Sequence, residues 1–418
     1  MNPNLPVSED ELRERLAPVA LGGEILSYAF ARCFYEAYGV RTIVVSAVNV
    51  RATSSSRLVD YRITPAMGEG DDAIVAFLSD LGRELVAAGK VPLVIGSADW
   101  HARILSTHKE ELSAWFVVPY NDFALFDDIT RKDRFYRICE ELGIAYPRTL
   151  ALDCTDPDAS ADAGSLTYPV VAKPANSALY DLMVFPGKEK VYQVEDAQGL
   201  RRVFDLVRGA GYEGQLLVQD FIPGDDDALR SLTTFSDACG RVRVVSGGRV
   251  VLQDHSPARI GNPMCILPER VEQIIDDARR FCEHVGYRGY ANFDIKYDER
   301  DGRYKFFEVN ARPGRNTYYM ALGGANIARL LVDEYVLGRQ IDYLEAYGES
   351  LYTCVPASVV RRHVANPEVR DRVLALYRAG RIGYPYDFRG DTLAHALWSR
   401  VVWFHQIDKF NRYMGASA

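Results

Sequence analysis

Along the first 120 residues, short apolar runs alternate with stretches whose apolar residues recur at helical spacing. Val19–Leu21 runs into Gly22-Gly23 and then an amphipathic stretch, Glu24–Tyr38, which Gly39 ends. A strand over Thr42–Val48 follows, then a helix opening at Asp71-Asp72 and stopping at Gly89, then a strand over Val91–Ile95. Strands alternating with helices predict a parallel sheet wound on both faces. Gly22-Gly23 lacks the G-x-G-x-x-G spacing, so it reads first as a tight turn and second as a loop whose amides can meet an anion.

After residue 125 the pattern changes. Lys132–Leu142 carries Phe135, Ile138, Cys139 and Leu142 on one helical side and ends at Gly143. The Asp-, Ala- and Ser-rich stretch from Asp153 to Tyr168 predicts a surface loop. A strand over Pro169–Lys173, a helix around 196–210 and a strand over Gln215–Asp220 follow, the last running into Phe221-Ile222-Pro223-Gly224. A helix over Glu269–Val285 lies between Pro268 and Gly286 with an apolar face that belongs against a sheet. The fold class is therefore α/β in the first region and α+β in the second.

The hairpin from Tyr290 to Arg315, YANFDIKYDERDGRYKFFEVNARPGR, carries the strongest chemical signal. Strand side chains alternate faces, so Asn292, Asp294 and Lys296 share one face, and Glu308, Asn310 and Arg312 share one face of the second run. A three-residue loop, Arg300-Asp301-Gly302, with Gly302 left-handed, sets Asp294 across from Glu308. Like charges placed opposite each other destabilise a sheet. Two facing carboxylates with the Asn310 amide nearby are a ligand set for a hard cation, magnesium above all. A wet sheet face with unrelated charges is the plainer alternative, and the clean apolar faces argue against it.

Charge and cysteine usage narrow the class. Net charge is −8, but residues 351–418 hold ten basic and five acidic residues, a balance of +5 that leaves −13 on residues 1–350. An acidic body argues against nucleic acid as a partner. The seven cysteines (33, 139, 154, 239, 265, 282, 354) are scattered with no C-x-x-C pair, which predicts reduced thiols in a cytoplasmic protein. The polar N-terminal stretch MNPNLPVSEDELRERL has no signal-peptide apolar core, and no run reaches the roughly 18 apolar residues of a membrane span. Stable membrane insertion is not expected.

Lys173 ends the apolar strand YPVVAKP, where an unpaired ammonium is costly, so it should face a cleft holding negative charge. LLVQDFIPGDDD ends another apolar strand in Gln219 and Asp220 and then three acids. Taken in order, Lys132 in KDRFYRICEELG, Lys173 in VVAKP, the hinge QDFIPGDD, Asp294, and Glu308 to Arg312 in EVNAR resemble the ATP-grasp superfamily over roughly residues 125 to 340. The pieces KDRFYRICEELGIAYPRT, AKPANSALY and FEVNARPGRNTYY are most similar to carboxylate–amine ligases of the D-aspartate ligase type, which attach an amino acid to an amine on a cell-wall precursor.

The resemblance implies a Rossmann-like pre-ATP-grasp domain over 1–124, an ATP-grasp domain over 125–345 with a lid about 150–222, and a mostly helical cap over 346–418. It implies that Lys132 and Lys173 contact ATP phosphates, that Gln219, Asp220, Phe221 and Ile222 hold adenine, and that Asp226 or Asp227 holds ribose. Asp294, Glu308 and Asn310 would bind one or two magnesium ions, with manganese as a substitute. Arg312 and Arg315 would face the substrate carboxylate and the reacting phosphate. Two positions depart from the pattern: Gln219 stands where glutamate is common, and the loop ANSALYD lacks phosphate-wrapping glycines, so that Ser177 or Tyr180 would serve instead. The implied partners are an amino acid and an amine acceptor such as a peptidoglycan precursor, joined through an acyl phosphate. The rivals are another ATP-grasp ligation or carboxylation, and a non-catalytic nucleotide-binding protein.

Weaker candidates lie outside these motifs. Ser54-Ser55-Ser56-Arg57 and Gly96-Ser97-Ala98-Asp99 lie near strand ends, where open α/β sheets bind ligands; loop capping is the commoner role. Arg259 in the turn SPARIGNP is placed to reach the site. LAHALWSRVVWFHQIDKF, 393–410, reads as core packing of the cap.

Overall fold

A computed structural model describes residues 9–175, 180, 183–257 and 259–414. In the first region β1 (Leu16–Leu21), β2 (Thr42–Ser46), β3 (Val59–Ile63) and β4 (Val91–Gly96) form an all-parallel sheet in the order β3-β2-β1-β4. β1, β2 and β4 are buried along their whole length, as expected of strands covered on both faces. The amphipathic stretch after Gly22-Gly23 is the helix Ile25–Tyr38, stopped by Gly39 at φ 69.

Next, β5 (Thr149–Asp153), β6 (Val170–Pro174), β7 (Tyr192–Val194) and β8 (Gln215–Asp220) make an antiparallel sheet in the order β5-β8-β6-β7. Val170, Ala172, Leu216 and Val218 pack with Leu200, Phe204 and Val207 of the helix Ala197–Gly209. Burying each such larger apolar side chain contributes about 1.5–3 kcal/mol. Strand alternation then turns Lys173 and Gln219 to the other face of this sheet.

The remaining strands, β9 (Leu229–Ser236), β10 (Val242–Gln253), β11 (Pro263–Pro268), β12 (Gly289–Asp298), β13 (Arg303–Asn310), β14 (Leu344–Glu345), β15 (Leu351–Thr353) and β16 (Ile382–Gly383), form an eight-stranded sheet. Its order is β13-β12-β9-β10-β11-β15-β16, with β14 beside β10. Two compact units result: Met1–Phe126, Asp226–Asp294 and Asn310–Ala418 in the first, and Asp127–Asp225 with Ile295–Val309 in the second.

Residues after 350 enter the core of the first unit. Val359, Val360, Val369, Val373 and Phe410 join the cluster that holds Phe30, Phe34 and Tyr290. Asp391 accepts hydrogen bonds from Tyr28 Oη at 2.9 Å, Ser56 Oγ at 2.5 Å and the Arg57 amide at 2.9 Å, so Ser56 serves in structure.

Three expectations need correction. The β12–β13 loop is Glu299–Gly302, one residue longer than expected, although Gly302 is left-handed at φ 69. Asp298 closes it: its carboxylate accepts from the Arg300 amide at 3.2 Å and from Nε at 2.8 Å, and its carbonyl accepts from the Gly302 amide at 2.9 Å. The helix expected from Glu269 begins at Glu272, because Glu269 is held by Arg230 and Arg249 and Arg270 by Glu345. The helix Leu393–Tyr413 packs Trp398, Val402, Trp403 and Ile407 inward but leaves Leu393, Leu397, Val401 and Phe404 exposed. Its apolar residues run all round, so one face alone could not bury them. Among the described residues no helix is long and apolar enough to cross a membrane.

Candidate active site

In the second unit the site grows from β6 and from the helix Lys132–Leu142, which buries Phe135, Ile138 and Cys139 and stops at Gly143, φ 66. Lys132, at its first turn, lies 3.5 Å from Glu308 Oε2. One turn on, Tyr136 donates from Oη to the Phe307 carbonyl at 2.8 Å. Lys173 Nζ donates to that same Oη at 3.4 Å and stands 5.8 Å above the Phe307 ring centroid.

Burial, and then the charge of Lys132, push Lys173 down to about 7, against the upward pull of Glu308. Glu308 moves the other way from what its burial alone would cause: Lys132, Lys173 and Lys190 hold it ionised well below the usual glutamate range. A lysine as desolvated as Lys173 gains from a polyanion, and a carboxylate kept ionised remains a cation ligand.

The hinge lies in the same unit. Gln219 is buried and donates from Nε2 to Thr149 Oγ1 at 2.7 Å. Asp220 takes a two-pronged pair from Arg148, at 2.7 and 3.3 Å. Phe221 carries Lys296 Nζ 5.8 Å over its ring, while that ammonium donates to the Gly224 carbonyl at 2.7 Å. Ile222 is buried. Ser177 lies outside the described residues; Tyr180 is buried with its hydroxyl 2.7 Å from Tyr192 Oη.

In the first unit Asn310 Nδ2 donates to Asp294 Oδ2 at 3.2 Å, and Arg312 Nη2 donates to Asn310 Oδ1 at 3.2 Å and to Asp99 Oδ2 at 2.8 Å. Beneath them Asn292 Oδ1 accepts from Thr233 Oγ1 at 2.9 Å. A Cβ at Gly314 would lie 2.5 Å from Asn292 Oδ1, so the R-P-G-R turn needs glycine there. Arg315 Nε lies 3.5 Å from Glu24, which also accepts from Arg259 Nη2 at 3.1 Å.

The acids expected near ribose have protein partners: Asp226 accepts from the Gln253 amide, Gln253 Nε2 and His255 Nε2, and Asp227 accepts from Asn366 Nδ2 at 2.9 Å. Asp225, from the same turn, is exposed.

Asp294, Glu308 and Asn310 supply only oxygens suited to magnesium. Among the described residues no group of three His, Cys, Asp or Glu side chains is gathered for a metal, so the set depends on the Asn310 amide. As described, that amide turns its nitrogen to Asp294; holding a cation requires rotation to present Oδ1, which also releases Arg312. Asn310 and Glu308, two apart on β13, project to one side. In residue type these donors suit magnesium.

Tyr136 and Lys190 belong to this electrostatic site and were not singled out from sequence. Tyr136 carries a signal, its i,i+4 spacing from Lys132; Lys190 carries none.

No family model matches the chain. Among solved structures, the fold is shared with an L-amino acid ligase from Bacillus licheniformis (TM-score 0.55, 17% identity, 77% of this chain and 74% of that one). It is also shared with the biotin carboxylase domain of a 2-oxoglutarate carboxylase from Hydrogenobacter thermophilus, in complex with magnesium ADP and bicarbonate (TM-score 0.58, 15% identity, 80% and 72%). These likenesses show the fold; the class, an ATP-grasp, ADP-forming carboxylate–amine ligase, rests on a relative matched along nearly the whole chain. Across 419 aligned residues, 96% of this chain and 97% of the relative, the sequence is 32% identical to the D-aspartate ligase of Enterococcus faecium. The chain belongs to the D-aspartate ligase family.

Proposed function

We propose that the protein joins D-aspartate to an amine of a peptidoglycan precursor in the cytoplasm, releasing ADP and phosphate through an acyl phosphate. The full-length likeness to the Enterococcus faecium enzyme supports the choice of amino acid, and the lysine–glutamate cluster supports the use of ATP.

Lys132 and Lys173 would hold phosphate oxygens, with the Lys173 ammonium restored to full charge by them. The hinge Gln219–Ile222 would hold adenine, and a ribose contact from Asp226 or Asp227 requires one of their present bonds to open. Asp294, Glu308 and Asn310 would hold magnesium, which supplies charge neutralisation for the β- and γ-phosphates. A substrate carboxylate, oriented by Arg312, attacks the γ-phosphorus and ADP leaves. The amine then attacks the acyl carbonyl, Arg312 stabilises the tetrahedral oxyanion, and phosphate departs. Phosphoryl transfer of this kind rests on positioning and charge, and no protein nucleophile is required.

An ADP-release screen of D- and L-amino acids against candidate amines, with mass measurement of the product, tests the reading. ADP release that needs both D-aspartate and an amine supports it. Turnover stimulated by bicarbonate instead of an amine would move the chain to carboxylation, and ATP binding without turnover across the panel would make it a non-catalytic binder.

A further inference from the structure

The Gly22-Gly23 turn closes β1 where its neighbours switch from β2 to β4, the position at which open α/β sheets receive ligands. Gly22 is held at φ 88, and a Cβ there would lie 2.3 Å from Ser97 Oγ. The next side chain after the glycines, Glu24, bridges Arg259 at 3.1 Å and Arg315 at 3.5 Å. Arg259 rides on the loop between β10 and β11. The base of that loop is anchored by Asp254, nearly wholly buried, which accepts from Lys409 Nζ at 2.7 Å and from Ser256 Oγ at 2.7 Å.

Among the described residues of this corner, three cations (Arg259, Arg315, Lys409) share two carboxylates (Glu24, Asp254). The three cations sense one another: burial lowers Lys409, and although Asp254 offsets this, the charges of Arg315 and Arg259 lower it further. Arg315 is under-served. Its Nε is buried without a hydrogen-bond partner, and its Nη1 donates to the Met264 thioether at 3.6 Å, a weak acceptor. A desolvated guanidinium against sulfur, in a corner with one positive charge in excess, is matched by a carboxylate from outside.

We propose that Arg259 and Arg315 form the subsite for the second carboxylate of a dicarboxylic amino acid, the one not phosphorylated, with Glu24 occupying both guanidiniums until the substrate takes its place. Lys409 is a positioning residue that holds, through Asp254, the loop carrying Arg259. A monocarboxylic amino acid leaves the pair unused, so the corner selects between substrates. This assignment rests on the ligase reading above.

Arg259→Gln removes the charge from a half-exposed side chain, and an unchanged Tm verifies its folding. KM for D-aspartate rises roughly ten- to a hundredfold, the loss of a hydrogen bond to a charged group, while KM for ATP stays constant. Arg259→Lys recovers part of the loss. With D-alanine and β-alanine, each D-aspartate less one carboxylate, ADP release changes by less than about threefold. An unchanged KM for D-aspartate, or an equal loss with all three amino acids, overturns the subsite. If the wild-type chain releases no ADP with D-aspartate, the ligase reading itself has failed, a result visible before any substitution is made.

Discussion

Lys132, Lys173 and Lys190 all act on the Glu308 carboxylate in the second unit, whereas in the first unit Arg312 sits on Asp99, and Arg315 and Arg259 sit on Glu24. The lysine cluster is left electrically incomplete: one of its members is driven down to about 7 by burial and by its neighbour's charge. On the proposed reading a triphosphate completes it, and the gain is large because Lys173 is already desolvated. The arginines already lie beside protein carboxylates, incompletely in the case of Arg315, so on the proposed reading a substrate carboxylate exchanges one anion for another. Exchange of that kind discriminates among carboxylates. On this reading one unit grips a polyanion and the other chooses among carboxylates.

The largest expected effect breaks the first half of this contrast. Glu308→Gln removes both a cation ligand and the counter-charge of Lys132, and kcat for ADP release falls by about a thousandfold. A variant that keeps near-normal ADP production would remove Glu308 from the site.

Lys173→Met comes next. In the free protein Lys173 titrates at about 7, so at pH 8 it is mostly neutral, and bound phosphates return its proton. ATP binding by the unaltered chain therefore takes up close to one proton at pH 8 and almost none at pH 6, as calorimetry in buffers of different ionisation enthalpy would read. The variant loses this uptake, and its KM for ATP rises roughly tenfold or more. The linkage to folding has a fixed sign. The unfolded lysine titrates near 10.4, so the unfolded chain binds more protons between about pH 7 and pH 10, and the contribution of Lys173 to stability rises with pH across that window. No proton uptake on ATP binding at pH 8 would contradict the depressed lysine.

The smallest effect sharpens the second half. Asp99→Asn removes the carboxylate charge from one of the partners of Arg312, a contact whose carboxylate is 63% exposed and so worth little on its own. KM for the amino acid should fall by about two- to fivefold with kcat held, because an internal competitor has gone. A rise in that KM would show instead that Asp99 orients the arginine.

Much of this was legible in the chain because its signals are local. Alternation in NFDIKY and KFFEVNAR displayed a two-stranded ribbon, Gly143 marked the end of the Lys132 helix, and Gln215–Asp220 read as a strand with the bounds it has. The parallel sheet of the first region followed from strand and helix alternation alone. What stayed hidden depends on residues far along the chain. Asp226 and Asp227 read as free acids of a turn, yet Gln253, His255 and Asn366 engage them. The anchoring of Asp254 by Lys409 spans 155 positions and leaves no periodic trace. Asp298 lengthened the hairpin loop through hydrogen bonds from Arg300 to its side chain, which turn propensities did not capture. The Glu24 bridge between two arginines joins a tight turn to two distant segments, and only packing brings them together.

The proposed acyl phosphate is the central step of this account, and oxygen transfer reports it directly. D-aspartate carrying 18O in its carboxylates is turned over with ATP and an amine, and the released phosphate is analysed by mass. One labelled oxygen per phosphate is the result predicted. Phosphate free of label, formed at the same rate as the amide, would contradict the account.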